Sequence, residues 1–321
     1  MSRIKVGVLR GGPSSEYEVS LKTGAAVLKN LPEKYEAADV FIDKKGIWHT
    51  RGIETRPDRV LPHLDVAFIA LHGKFGEDGG IQKMLEQHRI PYAGSEPVPS
   101  AWGLNKHLAK DIFRKNGLRV PYHALLRGGE MSERQIIDAF RRIPQPSVLK
   151  PVDGGSSVGV YFARSFFEFR HALKNAALHS PSVMVEEFIP GREATCGVIE
   201  QFRGAAHYAL PPIEIIPAAG CHFFDYAAKY GGKSQELCPA NFSQPVKREI
   251  EDLALAAHKA LGLRHYSRAD FIVSPRGVYL LEINSLPGLT EQSLLPKACA
   301  AVGLAFPQFL DHVLTLALSR N

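Results

Sequence analysis

The sequence predicts an α/β chain of more than one domain, an open parallel sheet followed by α+β units. Three observations carry this reading. The apolar run at 4–9 ends in Arg10-Gly11-Gly12-Pro13 and leads into a helical pattern with Val19, Ala26, Val27 and Leu28, which Ser14 or Ser15 is placed to cap. The run at 66–71 repeats the arrangement and ends in a second glycine-rich loop, His72 to Gly80. From about residue 183 the chain turns β-rich, with runs at 183–188, 195–201, 270–274 and 278–284, and with helices at about 246–261 and 306–319. Strand, loop and helix in alternation build parallel sheets, and ligands sit beyond the carboxyl ends of their strands. Glu16 and His72, which follow the first two strands, are therefore expected to face one pocket. The Pro-, Gly- and Ser-rich stretch at 93–101 reads as a boundary, and 103–182 alternates short helices and strands.

The bulk properties suit such a chain. Its 321 residues fit two or three small domains, and 45% hydrophobic with 22% charged residues is ordinary for a globular protein. Lys and Arg outnumber Asp and Glu by 39 to 33, a net charge of +6. The excess is spread along the chain, without a basic run interleaved with aromatics, so an anionic ligand is expected rather than nucleic acid. The four cysteines (Cys196, Cys221, Cys238 and Cys299) lack C-x-x-C spacing and read as reduced thiols. The N-terminal apolar run is too short for a signal-peptide core, and no stretch is long enough to span a bilayer. A cytoplasmic protein without membrane partners is the expectation.

The most informative segment is Arg268 to Asn284. Two β-type runs flank Pro275-Arg276-Gly277, read as a three-residue hairpin loop. Pairing Ser274 with Val278 places Asp270 opposite Glu282 and Arg268 opposite Asn284, all on one face. Phe271, Val273, Tyr279, Leu281 and Ile283 then face the core. Facing carboxylates repel, so a positive group belongs between them. Hard oxygen donors suit Mg²⁺ or Mn²⁺; a solvated face neutralised by Arg268 fits these residues about as well. A second element, the glycine-rich loop 153–159, follows Lys150 and lacks the G-K-[ST] ending of a P-loop. Its small residues can bring backbone N–H groups close to phosphate oxygens, although a flexible turn is the more common explanation of such a loop.

Together the motifs resemble the D-alanine–D-alanine ligases of the ATP-grasp superfamily over nearly the whole chain. The matching pieces, in order, are Gly11-Gly-Pro-Ser-Ser-Glu16-Tyr-Glu-Val-Ser20, His72-Gly-Lys-Phe-Gly-Glu-Asp-Gly79, Asn105-Lys106, and Lys150-Pro151 with Gly155-Ser-Ser-Val-Gly159. Glu186-Glu-Phe-Ile-Pro-Gly-Arg-Glu193, Asp225-Tyr-Ala-Ala-Lys229-Tyr230, Cys238-Pro-Ala240, Arg268-Ala-Asp270, and Leu281-Glu-Ile-Asn-Ser-Leu-Pro-Gly288 to Ser293-Leu294 follow. Each piece is modest alone; nine in order are specific. The departures are small: Arg10 before the first glycine pair, Glu187 where Lys is frequent, and Ala227 in the loop motif.

The resemblance implies an ATP-grasp fold, with an N-terminal substrate domain (1–96), a central subdomain (97–184) and a catalytic, metal-binding domain (185–321). It implies ATP-dependent joining of two D-alanines for peptidoglycan synthesis, by a homodimer. Lys106, Lys150 and Lys229 would bind ATP phosphates. Glu186 and the backbone at Glu187 and Ile189 would hold the adenine, and Glu193 the ribose. Glu16 would bind the first D-alanine's amino group, linked to Ser156 and Tyr230, with His72 near that substrate's carboxylate. Ser293 and Leu294 would receive the second D-alanine's carboxylate. Arg268 and the backbone at Gly288 would stabilise the tetrahedral intermediate. Asp270, Glu282 and Asn284 would hold two Mg²⁺ or Mn²⁺ ions.

Taken singly, these residues have plainer readings. Glu16 can support its helix's first turn, His72 can be structural, and Ser293 can start a helix. Lys106 and Lys229 can be surface charges, Ser156 a turn residue, and Tyr230 loop packing. The ordered set is what favours the functional roles. Within the fold, D-serine or D-lactate is the alternative second substrate, and a non-catalytic ATP-binding protein is the alternative of another class.

Overall fold

The computed structural model describes residues 3–127, 132–155, 158–217 and 235–319. Among these, the strands form three sheets. The first contains β1 (Ile4–Gly11), β2 (Tyr35–Ile42), β3 (Trp48–Thr50), β4 (Ile53–Thr55), β5 (Val66–Ile69) and β6 (Tyr92–Ala93), in the order β4-β3-β2-β1-β5-β6. β1 runs parallel to β2 and β5, and β5 parallel to β6, as the strand–loop–helix pattern predicts. Val6, Val8, Leu9 and Phe68 are fully buried, because central strands of such a sheet are covered on both faces. The first helix is Tyr17–Asn30, and its N-cap is Glu16 rather than Ser14 or Ser15. The two serines are used in the preceding turn, where the Tyr17 N–H donates to the Ser14 carbonyl at 3.2 Å.

The second sheet is antiparallel, with β7 (His123–Arg127), β8 (Ser147–Pro151), β9 (Tyr161–Ala163) and β10 (Ser182–Glu187) in the order β7-β10-β8-β9. The third contains β11 (Arg192–Phe202), β12 (Ala205–Ala209), β13 (Ile213–Ile216), β14 (Gln235–Leu237), β15 (Tyr266–Ser274) and β16 (Gly277–Asn284). One of its faces is covered by the helix Gln244–Leu261, through Ile250, Ala254 and Ala257. A division at 184/185 falls inside β10; the change of sheet lies between Glu187 and Arg192. The helix Lys106–Lys115 packs through Ala109 and Phe113 on the third sheet's core, not on the second's.

The hairpin differs from its sequence reading in an instructive way. Ser274 pairs with Gly277, so the turn is the two residues Pro275-Arg276, and Val273 pairs with Val278. A register shift between Asp270 and Phe271 then restores the pairs Asp270–Glu282 and Arg268–Asn284. The bulge inserts Leu281, and a bulge re-aims the side chains around it. Val278 and Leu280 join Phe271 and Ile283 under the helix, whereas Tyr279 and Leu281 form a separate apolar group with Ile189 and Ile272. The shorter turn and the bulge compensate in register but move those two side chains away from the expected core.

Cys196, Cys238 and Cys299 are free thiols, and Cys221 lies outside the described residues. No single helix among the described residues is long and apolar enough to cross a membrane.

Candidate active site

The loops after β1 and β5 converge as the parallel topology requires. Ser20, on the helix after β1, accepts from the Gly11 N–H at 2.8 Å and donates to the Ala70 carbonyl at 2.7 Å, tying the two strand ends together. Glu16 is buried, and its carboxylate does not cap its own helix. It lies against two glycines: a Cβ would come within 2.6 Å of Glu16 Oε2 at Gly73 and within 2.2 Å at Gly155. A side chain at either position would displace the carboxylate from its present place, so three segments distant in sequence meet at one carboxylate. Ser156, the next residue, lies outside the described residues, as do Lys229 and Tyr230.

His72 is buried, and burial lowers its pKa. Its Nδ1 lies 2.9 Å from the Leu286 carbonyl, an obligate acceptor, so Nδ1 carries the proton and Nε2 accepts from Thr23 Oγ1 at 2.8 Å. Both ring nitrogens are thus spent on protein partners. The ring stands among the site's charges, within the fields of Glu16 and Arg268. Glu77, in the same loop and given no role from sequence, accepts from the Gly73 N–H at 3.0 Å and from Ser285 Oγ and the Leu286 N–H, both at 3.2 Å. Burial, reinforced by the charge of Glu16, pushes its carboxyl up to about 7. Asp78 accepts from the Phe75 and Gly80 N–H groups at 2.9 Å and shapes the loop. The Leu286 contacts bind this loop to the segment that leaves β16. Arg10, the departure at the end of β1, turns away to Asp39 at 2.7 Å.

On the β15–β16 hairpin, Arg268 donates twice to Asp270, at 3.0 Å each. Asp270 also accepts from Thr195 Oγ1 at 2.7 Å and Asn284 Nδ2 at 3.3 Å. Glu282 faces Lys106 at 3.4 Å. Lys106 also donates to the Gly154 carbonyl, which fastens the glycine-rich loop to the helix Lys106–Lys115. Asn105 caps that helix by accepting from the Leu108 N–H at 3.0 Å.

Lys110, one turn after Lys106 and so on the same helix face, was not singled out from sequence. Lys110 and Lys150 hold the two oxygens of Glu186, at 3.0 and 2.6 Å, and all three side chains are buried. Burial alone would raise the Glu186 carboxyl; the two cations bring it to about 2. Burial lowers Lys110 to about 8, with the nearby Lys150 adding to that effect. The i, i+4 spacing of Lys106 and Lys110 was the available signal.

Glu187 turns its side chain outward, accepting from the Tyr122 N–H at 3.0 Å and meeting Arg276 at 3.3 Å. Ile189 is buried with Ile272 and Tyr279, and Leu281 packs against them. Glu193, on β11, pairs with Ile272 and is half-buried. Ser293 precedes the helix Leu294–Ala301 and turns its hydroxyl to Thr290, at 2.8 Å, rather than to the helix N-terminus. A Cβ on Gly288 would lie 3.1 Å from that hydroxyl, so Gly288, Ser293 and the buried Leu294 form one corner.

Family models match most of the chain. The model described as D-ala D-ala ligase C-terminus matches residues 112–315, and that described as D-ala D-ala ligase N-terminus matches 5–61 and 49–95. The chain belongs to the D-alanine–D-alanine ligase family. A D-alanine–D-alanine ligase of Clostridium beijerinckii is 37% identical over 99% of this chain and all of its own length. Among solved structures, a family member from Bacillus anthracis complexed with ATP superposes with a TM-score of 0.83 at 31% identity, covering 98% of each chain. The VanG D-Ala:D-Ser ligase of Enterococcus faecalis superposes with a TM-score of 0.85 at 29% identity, covering 98% of this chain and 100% of its own. The mixed α/β architecture is thus that of the D-alanine–D-alanine ligases from end to end.

Proposed function

We propose that this chain joins two D-alanine molecules into D-alanyl-D-alanine at the expense of ATP, for peptidoglycan synthesis. The observation that carries the reading is the hairpin that sets Asp270 against Glu282 and Arg268 against Asn284, beside Lys106 and the buried lysines on Glu186. A carboxylate repels nucleophiles and offers no good leaving group. Transfer of the γ-phosphoryl of ATP to the first D-alanine's carboxylate makes an acylphosphate, and ADP leaves. The amine of the second D-alanine attacks that carbonyl, loses a proton, and phosphate departs with the C–O bond.

Each residue has a role in this reaction. Glu16 is an anion suited to the first D-alanine's ammonium group. Lys106 and Lys150 offset phosphate charge during transfer. The apolar group of Ile189, Ile272, Tyr279 and Leu281 suits a purine face, with Glu186 and the backbone at Glu187 beside it and Glu193 towards the ribose. Arg268, with the Gly288 backbone, is suited to the oxyanion of the tetrahedral state. The corner of Ser293 and Leu294 suits the second carboxylate. His72 acts by position, since both of its nitrogens are engaged. Asp270, Glu282 and Asn284 present hard oxygen donors, a set that fits Mg²⁺ or Mn²⁺. Two such ions held there would supply neutralisation of the phosphate charge. Lys229, Tyr230 and Ser156 complete the proposed site: Lys229 serves the phosphates, and the other two serve Glu16. An acylphosphate hydrolyses readily, so the loop that carries Lys229 and Tyr230 is assigned to excluding water.

The deciding experiment is a coupled ADP-release assay with D-alanine, D-serine, D-lactate and L-alanine as acceptors, with mass spectrometry of the product. D-alanyl-D-alanine is the expected main product. The superposition on the D-Ala:D-Ser ligase supports a second reading, in which D-Ala-D-Ser predominates. ADP release with none of the D-amino acids would refute both. This reading carries with it a cytoplasmic homodimer, which light scattering of the purified protein tests for its oligomeric state.

A further inference from the structure

The third sheet carries a second cluster of metal-ligating side chains, on the face opposite the hairpin carboxylates. Glu200 on β11 and His207 on β12 are direct cross-strand partners. The helix Gln244–Leu261 lays His258 over them. His207 Nε2 lies 3.6 Å and His258 Nε2 3.7 Å from the same oxygen, Glu200 Oε1. The three ligand atoms all fall within 4.8 Å of one another. His258 hydrogen-bonds through Nδ1 to Ser267 Oγ at 2.8 Å. Ser267 and Arg268 are neighbours on β15 and so point to opposite faces, which separates this cluster from the ligase site by the thickness of the sheet.

Two features set it apart from an ordinary buried ion pair. His258 Nε2 is buried and makes no hydrogen bond, although its side chain is 0% exposed. At 3.7 Å the Glu200 oxygen is too far to accept from it, and leaving a buried polar nitrogen unsatisfied is destabilising. The remaining atoms are arranged as outer-shell supports. The Ser267 hydroxyl fixes the Nδ1 end of His258, and the His265 N–H donates to Glu200 Oε2 at 2.8 Å, which leaves Oε1 for another partner. Ligating histidines and carboxylates are held in this way by their second atoms. Ligands about 2.0–2.1 Å from a tetrahedral zinc ion lie about 3.4 Å apart, close to the 3.6 and 3.7 Å between Glu200 Oε1 and the two histidine nitrogens. His207 is 27% exposed, so the cluster can be reached from solvent.

We propose that Glu200, His207 and His258 bind one divalent transition cation of the zinc class. Imidazole nitrogens select such ions over the hard Mg²⁺ expected on the other face. The ion would pin the helix Gln244–Leu261 to the β11–β12 hairpin. The other His-carboxylate group, His107, Asp111 and His123, is a weaker candidate, because Arg114 already holds Asp111 at 2.8 Å.

The test uses the full-length protein without a histidine tag, stripped by chelator and kept in excess Mg²⁺ so that hard-cation positions are filled. Zinc is titrated by calorimetry, and Co²⁺ is added as a spectroscopic probe. Expected are one zinc per chain, a rise in Tm with zinc, and a tetrahedral Co²⁺ spectrum without a thiolate charge-transfer band. His207→Ala, at a partly exposed position, should lower zinc affinity by more than about 100-fold. Ser267→Ala should lower it by about 10–100-fold, as an outer-shell loss does. If zinc does not bind saturably, the proposal is wrong. If binding persists in His207→Ala and disappears in His107→Ala, the ion belongs to the other cluster and the assignment fails.

Discussion

The loops after β1 and β5 and the β15–β16 hairpin supply the same candidate site, yet they are held by different forces. On the hairpin, Arg268, Asp270, Glu282 and Asn284 are aligned by strand pairing between residues close in sequence; Arg268, Asp270 and Asn284 contact one another, and Glu282 reaches out to Lys106 on a helix. In the loops, each group is held from far along the chain. His72 is fastened to Leu286, Glu77 to Ser285 and Leu286, and Glu16 is enclosed by Gly73 and Gly155. The Lys110–Glu186–Lys150 group belongs with the loops in this respect, since its members come from a helix and two strands. Local pairing makes a site whose chemistry is sensitive and whose scaffold is robust. Remote anchoring makes one in which a single polar change alters the stability of the whole.

The predictions that test this contrast begin with chemistry. Glu282→Gln should lower kcat by roughly 10³-fold, the equivalent of about 4 kcal/mol of lost charge stabilisation. Circular dichroism and Tm should stay close to those of the parent, because strand pairing does not depend on that charge. Near-normal ADP release in this variant would remove the metal-binding role of the hairpin.

Glu186→Gln should act on stability instead. It leaves two buried lysines without their counterion, and breaking a buried pair costs about 3–5 kcal/mol. Urea denaturation measures it, and a change below about 1 kcal/mol would show that remote anchoring does not set the stability of the chain.

Glu77 sets a pH dependence. Its folded pKa, about 7, lies above the ordinary 4.5, so folding favours the protonated form. The stability it contributes is therefore complete below about pH 4.5 and is lost as pH rises through about 7. Tm measured from pH 5 to 8 should fall less steeply in Glu77→Gln than in the parent; parallel curves would contradict the assignment. The smallest effect is expected at the tip of the hairpin. Arg276→Ala removes an exposed ion pair with Glu187 and should change stability by less than about 1 kcal/mol.

Much of this was legible in the residues. The parallel part of the N-terminal sheet, β2-β1-β5-β6, followed from two apolar runs with glycine-rich exits, whereas the antiparallel β3 and β4 at its edge did not; the facing of Asp270 and Glu282 followed from counting outward from a turn. The count holds for Asp270–Glu282 and Arg268–Asn284 and fails for Ser274–Val278 and for the turn: a two-residue turn and a bulge at Leu281 cancel in register. Their net effect shows only in Tyr279 and Leu281, which join Ile189 and Ile272 instead of the helix-covered core. Glu77 lay inside a motif read for its glycines, and Lys110 sat one turn beyond a lysine already noted. Neither position announces its partner, because the partner is more than 70 residues away.

By itself the amino-acid sequence determined the strands, the loops that leave them and the local pairing of the hairpin, since periodicity and turn chemistry act over a few residues. Only the tertiary structure decided which charges lose their water and which distant groups compensate them. Burial is a property of the packed chain, and it is burial that lowers the pKa of His72, raises that of Glu77 and makes Glu186 depend on two lysines.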